Sequence, residues 1–110
     1  MAEPVSGWIW GHNLRGFLGL LSHYVGYAFD ETDWETIGLG VGETDDEKPD
    51  RWYSYPLIGT EASVEVRLAR AVGGDEVCVI VVGVESLELR LRADTLVDAC
   101  AALPGARELG

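Results

Sequence analysis

The segment from Val77 to Val84 limits the possible folds more than any other part of the chain. It carries apolar residues on both faces of a would-be strand, where most strands of an antiparallel sheet alternate apolar with polar side chains. A strand with this pattern is buried on both faces. We therefore expect it to lie in the centre of a sheet, with cover on both sides or nearly so.

Three other segments alternate apolar with polar or small residues, the pattern of a strand with one wet face. They lie at 36–41, 64–69 and 87–92. The first is the weakest because Gly38 and Gly40 interrupt it. Gly73-Gly74 predicts a hairpin between the second of these strands and the central one. Together the four segments predict an antiparallel sheet.

Two helices are predicted, one on each side of the strands. After Asn13, a plausible N-cap, apolar residues recur every three or four positions. They are Leu14, Phe17, Leu18, Leu21, Val25 and Ala28. Glycines at 16, 19 and 26 on the opposite flank predict either a short helix or close packing of another backbone. The second helix is predicted to begin at Asp94 as N-cap and to stop before Pro104.

These elements predict a single α+β domain over residues 1–110, with 106–110 as a frayed tail. Its antiparallel sheet has about four strands, and an N-terminal and a C-terminal helix cover one face. The predicted order is α-β-β-β-β-α. At 110 residues the chain is long enough for one hydrophobic core and no second one.

The net charge limits the classes of partner that the protein is expected to bind. The formal net charge is −11, which disfavours direct binding to nucleic acid or to an anionic membrane surface. No signal peptide or membrane span is recognisable, so we expect a cytoplasmic protein whose two cysteines, Cys78 and Cys100, are buried thiols. Seven arginines against one lysine are typical of a GC-rich bacterial genome.

The carboxylates are clustered rather than spread along the chain. Nine of the nineteen lie between Asp30 and Asp50, a stretch with a single base, Lys48. Residues 43–50, which we call the acidic loop, have no apolar periodicity and contain Pro49, so we predict a solvated loop. Like charges at this density repel one another and form no core. The clustering therefore indicates a cationic partner.

Aromatic residues follow the acidic loop at once, at Trp52, Tyr53 and Tyr55. Trp, Tyr and Arg are the side chains that dominate the energetics of desolvated interfaces. The structural alternative is that these rings close over the end of the core. The predicted partner-binding residues are Asp33, Glu43, Asp45, Asp46, Glu47, Asp50, Trp52, Tyr53 and Tyr55.

No motif for catalysis, metal binding or phosphate binding stands out, and we predict no cofactor and no metal. The spacing of Asp45, Asp46, Glu47 and Asp50 does not match a calcium loop. His12 and His23 are too far apart along a helix to share a metal, at roughly 16 Å for a rise of 1.5 Å per residue. An enzyme is unsupported by any residue pattern.

The sequence thus predicts a small, noncatalytic binding protein that covers a cationic surface of a basic protein. Immunity-type inhibitors of a bacterial toxin or nuclease are the class that does this. The alternative is a small-molecule or metal-responsive domain, or a minor enzyme, with a pocket between the first helix and the sheet near Gly19 and His23. The third hypothesis is a homodimer that pairs along the glycine-faced helix or along an edge strand.

Overall fold

The computed structural model of the chain describes residues 4–42, 44, 52–71 and 74–101. Strand β1 (Val5–Trp10) leads through a short 3-10 turn into helices α1 (Leu14–Val25) and α2 (Glu31–Gly42). Strands β2 (Tyr53–Ile58), β3 (Ser63–Arg70) and β4 (Glu76–Val82) follow, and helix α3 (Leu87–Cys100) is the last element. The predicted tail at 106–110 lies outside the described residues.

The four strands form one antiparallel sheet in the order β1-β4-β3-β2. This confirms the predicted α+β class and the central position of the strand that begins near Val77. One face of the sheet is buried against the helices. Its fully or almost fully buried side chains include Val5, Ile9, Leu57, Val64, Val66, Leu68, Val77, Val79 and Val81.

The order of elements departs from the prediction at two places. Strand β1 precedes the first helix, and α2 lies between α1 and the remaining strands, so the order is β-α-α-β-β-β-α. The grouped strands and the C-terminal helix are as expected. The hairpin predicted at Gly73-Gly74 corresponds to antiparallel pairing of β3 with β4, although Gly73 itself is outside the described residues.

Helix α2 replaces the strand that we predicted at 36–41. Ile37 and Val41, which are four residues apart, are buried, whereas Leu39 between them is 75% exposed. The helix begins with a reciprocal capping box: the Asp33 N–H donates to the Asp30 carboxylate, and the Asp30 N–H donates to the Asp33 carboxylate, each at 2.9 Å. This pair satisfies two backbone donors and fixes the start of the helix.

Helix α3 replaces both the strand predicted at 87–92 and the helix start predicted at Asp94. Its N-cap is Ser86, whose Oγ accepts the Leu89 N–H at 3.2 Å. Leu89 is buried, while Leu87 and Leu91 are 71% and 58% exposed. The three leucines therefore follow the helical period, and their alternation with charged residues is coincidental.

Helix α1 is confirmed with the predicted apolar stripe on the core side from Leu14 to Val25, whereas Ala28, the last residue of the predicted stripe, lies beyond the helix and is exposed. Asn13 precedes it but makes no side-chain cap, and donates instead to the Cys100 carbonyl at 3.4 Å. The helix ends at Gly26, whose φ of 80° is in the left-handed region that glycine adopts without strain. Nothing lies within 4 Å of a methyl group placed at Gly16 or Gly19. No second backbone of the described chain packs there.

Both cysteines are free thiols, as expected, but they are partly exposed rather than buried. Desolvation raises the pKa of the Cys100 thiol. In the parts of the chain that the structure describes, no helix has the length and apolar character needed to cross a membrane.

Candidate partner-binding site

One end of the sheet holds the first anchor of the acidic loop. Thr44 is buried, which differs from the solvated position we predicted for it. Its hydroxyl donates to the Val41 carbonyl at 2.7 Å and accepts the Arg70 N–H at 2.9 Å. The Arg70 Nε–H also donates to the Thr44 carbonyl, at 3.3 Å. The chain that leaves α2 is thereby fixed against the last residue of β3.

The second anchor is the start of β2. Tyr53 pairs with Leu68, two residues before the end of β3, and Trp52 precedes it with a partly exposed side chain. Thr44 and Trp52 therefore lie at the same end of the sheet. We call this end of the sheet, with Thr44, Trp52 and the adjoining strand ends, the acidic end.

Two more carboxylates belong to the acidic end through the strand register. β4 begins there, with exposed Asp75 and buried Glu76, and Trp10 at the end of β1 pairs with Glu76. The Gly11 N–H donates to the Asp75 carbonyl at 2.6 Å and holds the two strand ends together. The sequence analysis did not assign Trp10, Asp75 or Glu76 to the site, because strand β1 was not predicted.

The predicted binding residues are distributed unevenly over the described structure. Glu43, Asp45, Asp46, Glu47 and Asp50 lie outside the described residues. Trp52 and Tyr53 lie at the acidic end. Asp33, in the first turn of α2, is in contact with Tyr55, the third residue of β2.

Tyr53 and Tyr55 face the helices and are packed against the core with part of each ring exposed. The ring of Tyr53 covers Gly40 of α2 so closely that a methyl group at that glycine would overlap it. The two tyrosine ring centroids are 6.2 Å apart. Their packing joins β2 to α2, as expected from the structural alternative for these aromatics.

Asp33 organises a hydrogen-bond network beside these rings. Its Oδ1 accepts the Tyr55 hydroxyl at 2.5 Å and the Tyr27 hydroxyl at 3.1 Å, while Oδ2 accepts the Asp30 N–H. The bond from Tyr55 is the main reason why the pKa of Asp33 is lowered. Burial, and then the bond to Asp33, raise the pKa of Tyr55. Asp33 therefore stays ionised and Tyr55 stays protonated, as the hydrogen bond between them requires.

Further rings complete an aromatic cluster around Asp33. Phe29 is 4.5 Å from Trp34 and 5.1 Å from Tyr27, measured between ring centroids. The Arg15 guanidinium lies 4.8 Å above the Trp34 ring and 3.5 Å from Glu31. The sequence signal that was missed is the Asp30-x-x-Asp33 capping box, which places Trp34 and Glu31 in the first turn of a helix.

We expect Tyr55→Phe to raise the pKa of Asp33 towards its ordinary value. A carboxylate with a lowered folded pKa stabilises the fold above its unfolded pKa, about 3.9, and that stability is lost as the pH falls through the folded pKa. The melting temperatures of wild type and Tyr55→Phe should therefore differ at neutral pH by more than they do near about pH 2. NMR titration of the Asp33 carboxyl carbon and melts at each pH measure both effects.

Tyr27→Phe is the graded control for this experiment. It also removes a hydroxyl donor to the same oxygen, at the longer distance of 3.1 Å, so its effect on the pKa of Asp33 should be smaller. An unchanged Asp33 pKa in Tyr55→Phe would contradict the network.

The described residues contain no group of three His, Cys, Asp or Glu side chains that could hold a metal ion. His23, proposed for the mouth of a pocket, is exposed. A mainly apolar cleft lies between α1 and α3, and His23 is not among the residues that line it. It is lined by Leu20, Tyr24, Leu91, Arg92, Thr95, Leu96 and Ala99.

Comparison with known proteins gives no relative: no protein-family model, no curated protein and no solved structure matches the chain.

Proposed function

We propose that this chain is a noncatalytic binding protein that covers a cationic surface on a basic protein, in the manner of an immunity-type inhibitor of a bacterial toxin or nuclease. The observation that carries the proposal is that Thr44 and Trp52, the described residues on either side of the carboxylate-rich segment 45–51, lie at the same end of the sheet. A nuclease holds phosphates with cationic side chains, so a concentrated anionic surface can occupy its site.

The acidic loop is short, and the described residues Thr44 and Trp52 lie together at the acidic end. The loop carries five carboxylates and one lysine, and only seven residues separate Thr44 from Trp52 in the sequence. Exposed Asp75 lies at the acidic end as well and adds negative charge there.

Folding stability does not account for the acidic loop. The loop follows the C-terminus of α2, where the helix dipole already places partial negative charge and where cations are the stabilising residues. Carboxylates at this position oppose the helix instead of supporting it. A partner that supplies the missing positive charge explains why they are concentrated there.

The side chains divide into two roles in this proposal. Asp33 has three internal donors and Tyr55 donates to it, so these two hold α2 against β2. Trp52 immediately precedes strand β2 and is partly exposed, which suits it for a desolvated contact beside the carboxylates.

The test is capture and identification of the partner. The purified protein is immobilised, loaded with extract of the source cells at low salt, and eluted with a salt gradient, and the eluted proteins are identified by mass spectrometry. We expect a basic protein with toxin or nuclease activity that the free chain inhibits. Retention of no basic protein, together with thermal stabilisation of the chain by a metal ion or small metabolite, would overturn the proposal in favour of a ligand-responsive domain.

A further inference from the structure

The face of the sheet opposite the helices is partly exposed and mainly apolar. We call it the open face. Strand alternation and the pairing register assign its residues. They are Ser6, Trp8 and Trp10 from β1, Glu76, Cys78, Ile80 and Val82 from β4, Ser63, Glu65, Arg67 and Ala69 from β3, and Ser54, Pro56 and Ile58 from β2.

The composition of the open face is that of a covered surface. An antiparallel sheet with one solvated face places polar residues there, yet β4 presents Cys78, Ile80 and Val82. Ile58 at the edge is 71% exposed. The apolar pattern of β4 predicted that both of its faces are covered. The described helices cover only one of them. Such a patch on a folded protein marks an interaction site.

We propose that the open face is covered by a second copy of this chain, in a two-fold symmetric dimer that packs sheet against sheet. The proposal is independent of the function proposed above. It goes beyond that function because it uses a different surface and a partner of the same charge.

The charges of the open face select a second copy over a basic protein. The chain has a net charge of −11, so two copies repel each other wherever their acidic surfaces meet. The exposed charges of the open face instead form the Arg67–Glu65 ion pair at 2.9 Å, which has no net charge, because the third charged residue of this face, Glu76, is buried. A basic protein gains little electrostatic energy from a neutral patch, whereas a like-charged copy can approach there.

A two-fold axis that runs across the strands also separates the acidic ends. It reverses the strand direction of one copy relative to the other, so the two acidic ends point to opposite ends of the dimer. In that arrangement every contact occurs twice, and each strand faces the same strand of the other copy, so the Arg67–Glu65 ion pairs of the two copies lie close to each other.

The size of the face predicts a weak dimer. Four strands of six to eight residues cover an area of roughly 20 Å by 20 Å, or about 400 Å² per copy. This is below the usual area of a stable interface, which buries about 800 Å² per partner. We therefore expect a dissociation constant of about 10 to 100 μM.

Sedimentation equilibrium of the protein alone, from about 1 μM to about 300 μM, tests the dimer. Ile80→Glu and Val82→Lys are each expected to weaken it about tenfold or more, because each buries a charge at the interface. Each introduced charge has an opposite charge directly across the sheet within the monomer, Arg67 for Ile80 and Glu65 for Val82. Both monomers should therefore fold, which circular dichroism melts verify.

Leu91→Glu is the control. Leu91 is 58% exposed on α3, in the apolar cleft on the helix side, so the variant should dimerise like the wild type. Loss of the dimer in Leu91→Glu but not in the open-face variants would overturn the proposal in favour of pairing through the helices. A monomer at 300 μM would also overturn it, and would leave the open face to another segment of the chain or to a different protein.

Salt separates this proposal from the proposed function. Raising the salt from about 0.05 M to about 0.5 M screens repulsion between like-charged copies and should strengthen the dimer, while it should weaken binding to a cationic partner. A dimer that dissociates as salt is added would contradict the apolar, sheet-to-sheet arrangement.

Discussion

Converting Asp45, Asp46 and Glu47 together to their amides is expected to slow association with the captured basic partner about tenfold at low salt. Long-range attraction between opposite charges acts before contact, so the loss should fall mainly on the association rate. The wild-type rate should itself fall steeply as ionic strength rises, since exposed charges are screened beyond about 10 Å at 0.1 M salt. Stopped-flow or surface-binding kinetics at several salt concentrations measure both effects.

A second triple variant separates local from total charge. Glu61→Gln, Glu85→Gln and Asp94→Asn remove the same number of negative charges from exposed positions in the loop between β2 and β3, before α3 and on α3, away from the acidic end. This variant should retain most of the wild-type association rate. Equal slowing in the two variants would mean that total charge, and not the acidic loop, attracts the partner.

Gly59→Ala is expected to lower the free energy of unfolding by about 3 kcal/mol. Gly59 begins the loop between β2 and β3, and a methyl group there would overlap the carbonyl oxygen of Val25 at the end of α1. That oxygen accepts the N–H groups of Glu61 at 2.9 Å and Ala62 at 3.2 Å. Relief of the overlap would break these bonds, which satisfy the end of α1 and position β2.

For a domain of this size the expected fall in melting temperature is about 12 °C or more. Gly19→Ala is the control, because it lies in α1 with nothing within 4 Å of the added methyl group. It should raise stability by about 0.5 to 1 kcal/mol through helix propensity. A Gly59→Ala protein as stable as the wild type would show that the loop does not hold α1 against β2.

The elements that were predicted correctly are those whose apolar residues fit either the helical period or the strand period, but not both. The stripe of α1 and the strands β3 and β4 are of this kind. Residues 36–41 and 87–92 are too short for alternation to distinguish a strand from a helix, and the capping residues decide between them. Asp30 with Asp33, and Ser86 before Leu87, are those signals. Leu, Glu and Arg in 87–92 also favour a helix over a strand.

The strands β1 and β2 could not be predicted from local pattern. β1 contains Gly7, and β2 contains Pro56, which is tolerated because β2 lies at an edge of the sheet. Only the pairing of distant segments shows that Trp10 and Glu76 meet. The clustering of carboxylates was visible in the sequence, but the hydrogen bonds that fix Thr44 against Arg70 join residues 26 positions apart.

The pairing of β1 with β4 has a consequence for biosynthesis. Val5 pairs with Val81, so β1 leaves the ribosome long before its hydrogen-bonding partner. At about 5 to 20 residues per second, β1 waits roughly 4 to 15 s before β4 is made. During that interval its backbone amides have no strand to pair with, and the sheet closes only after β4 has been synthesised.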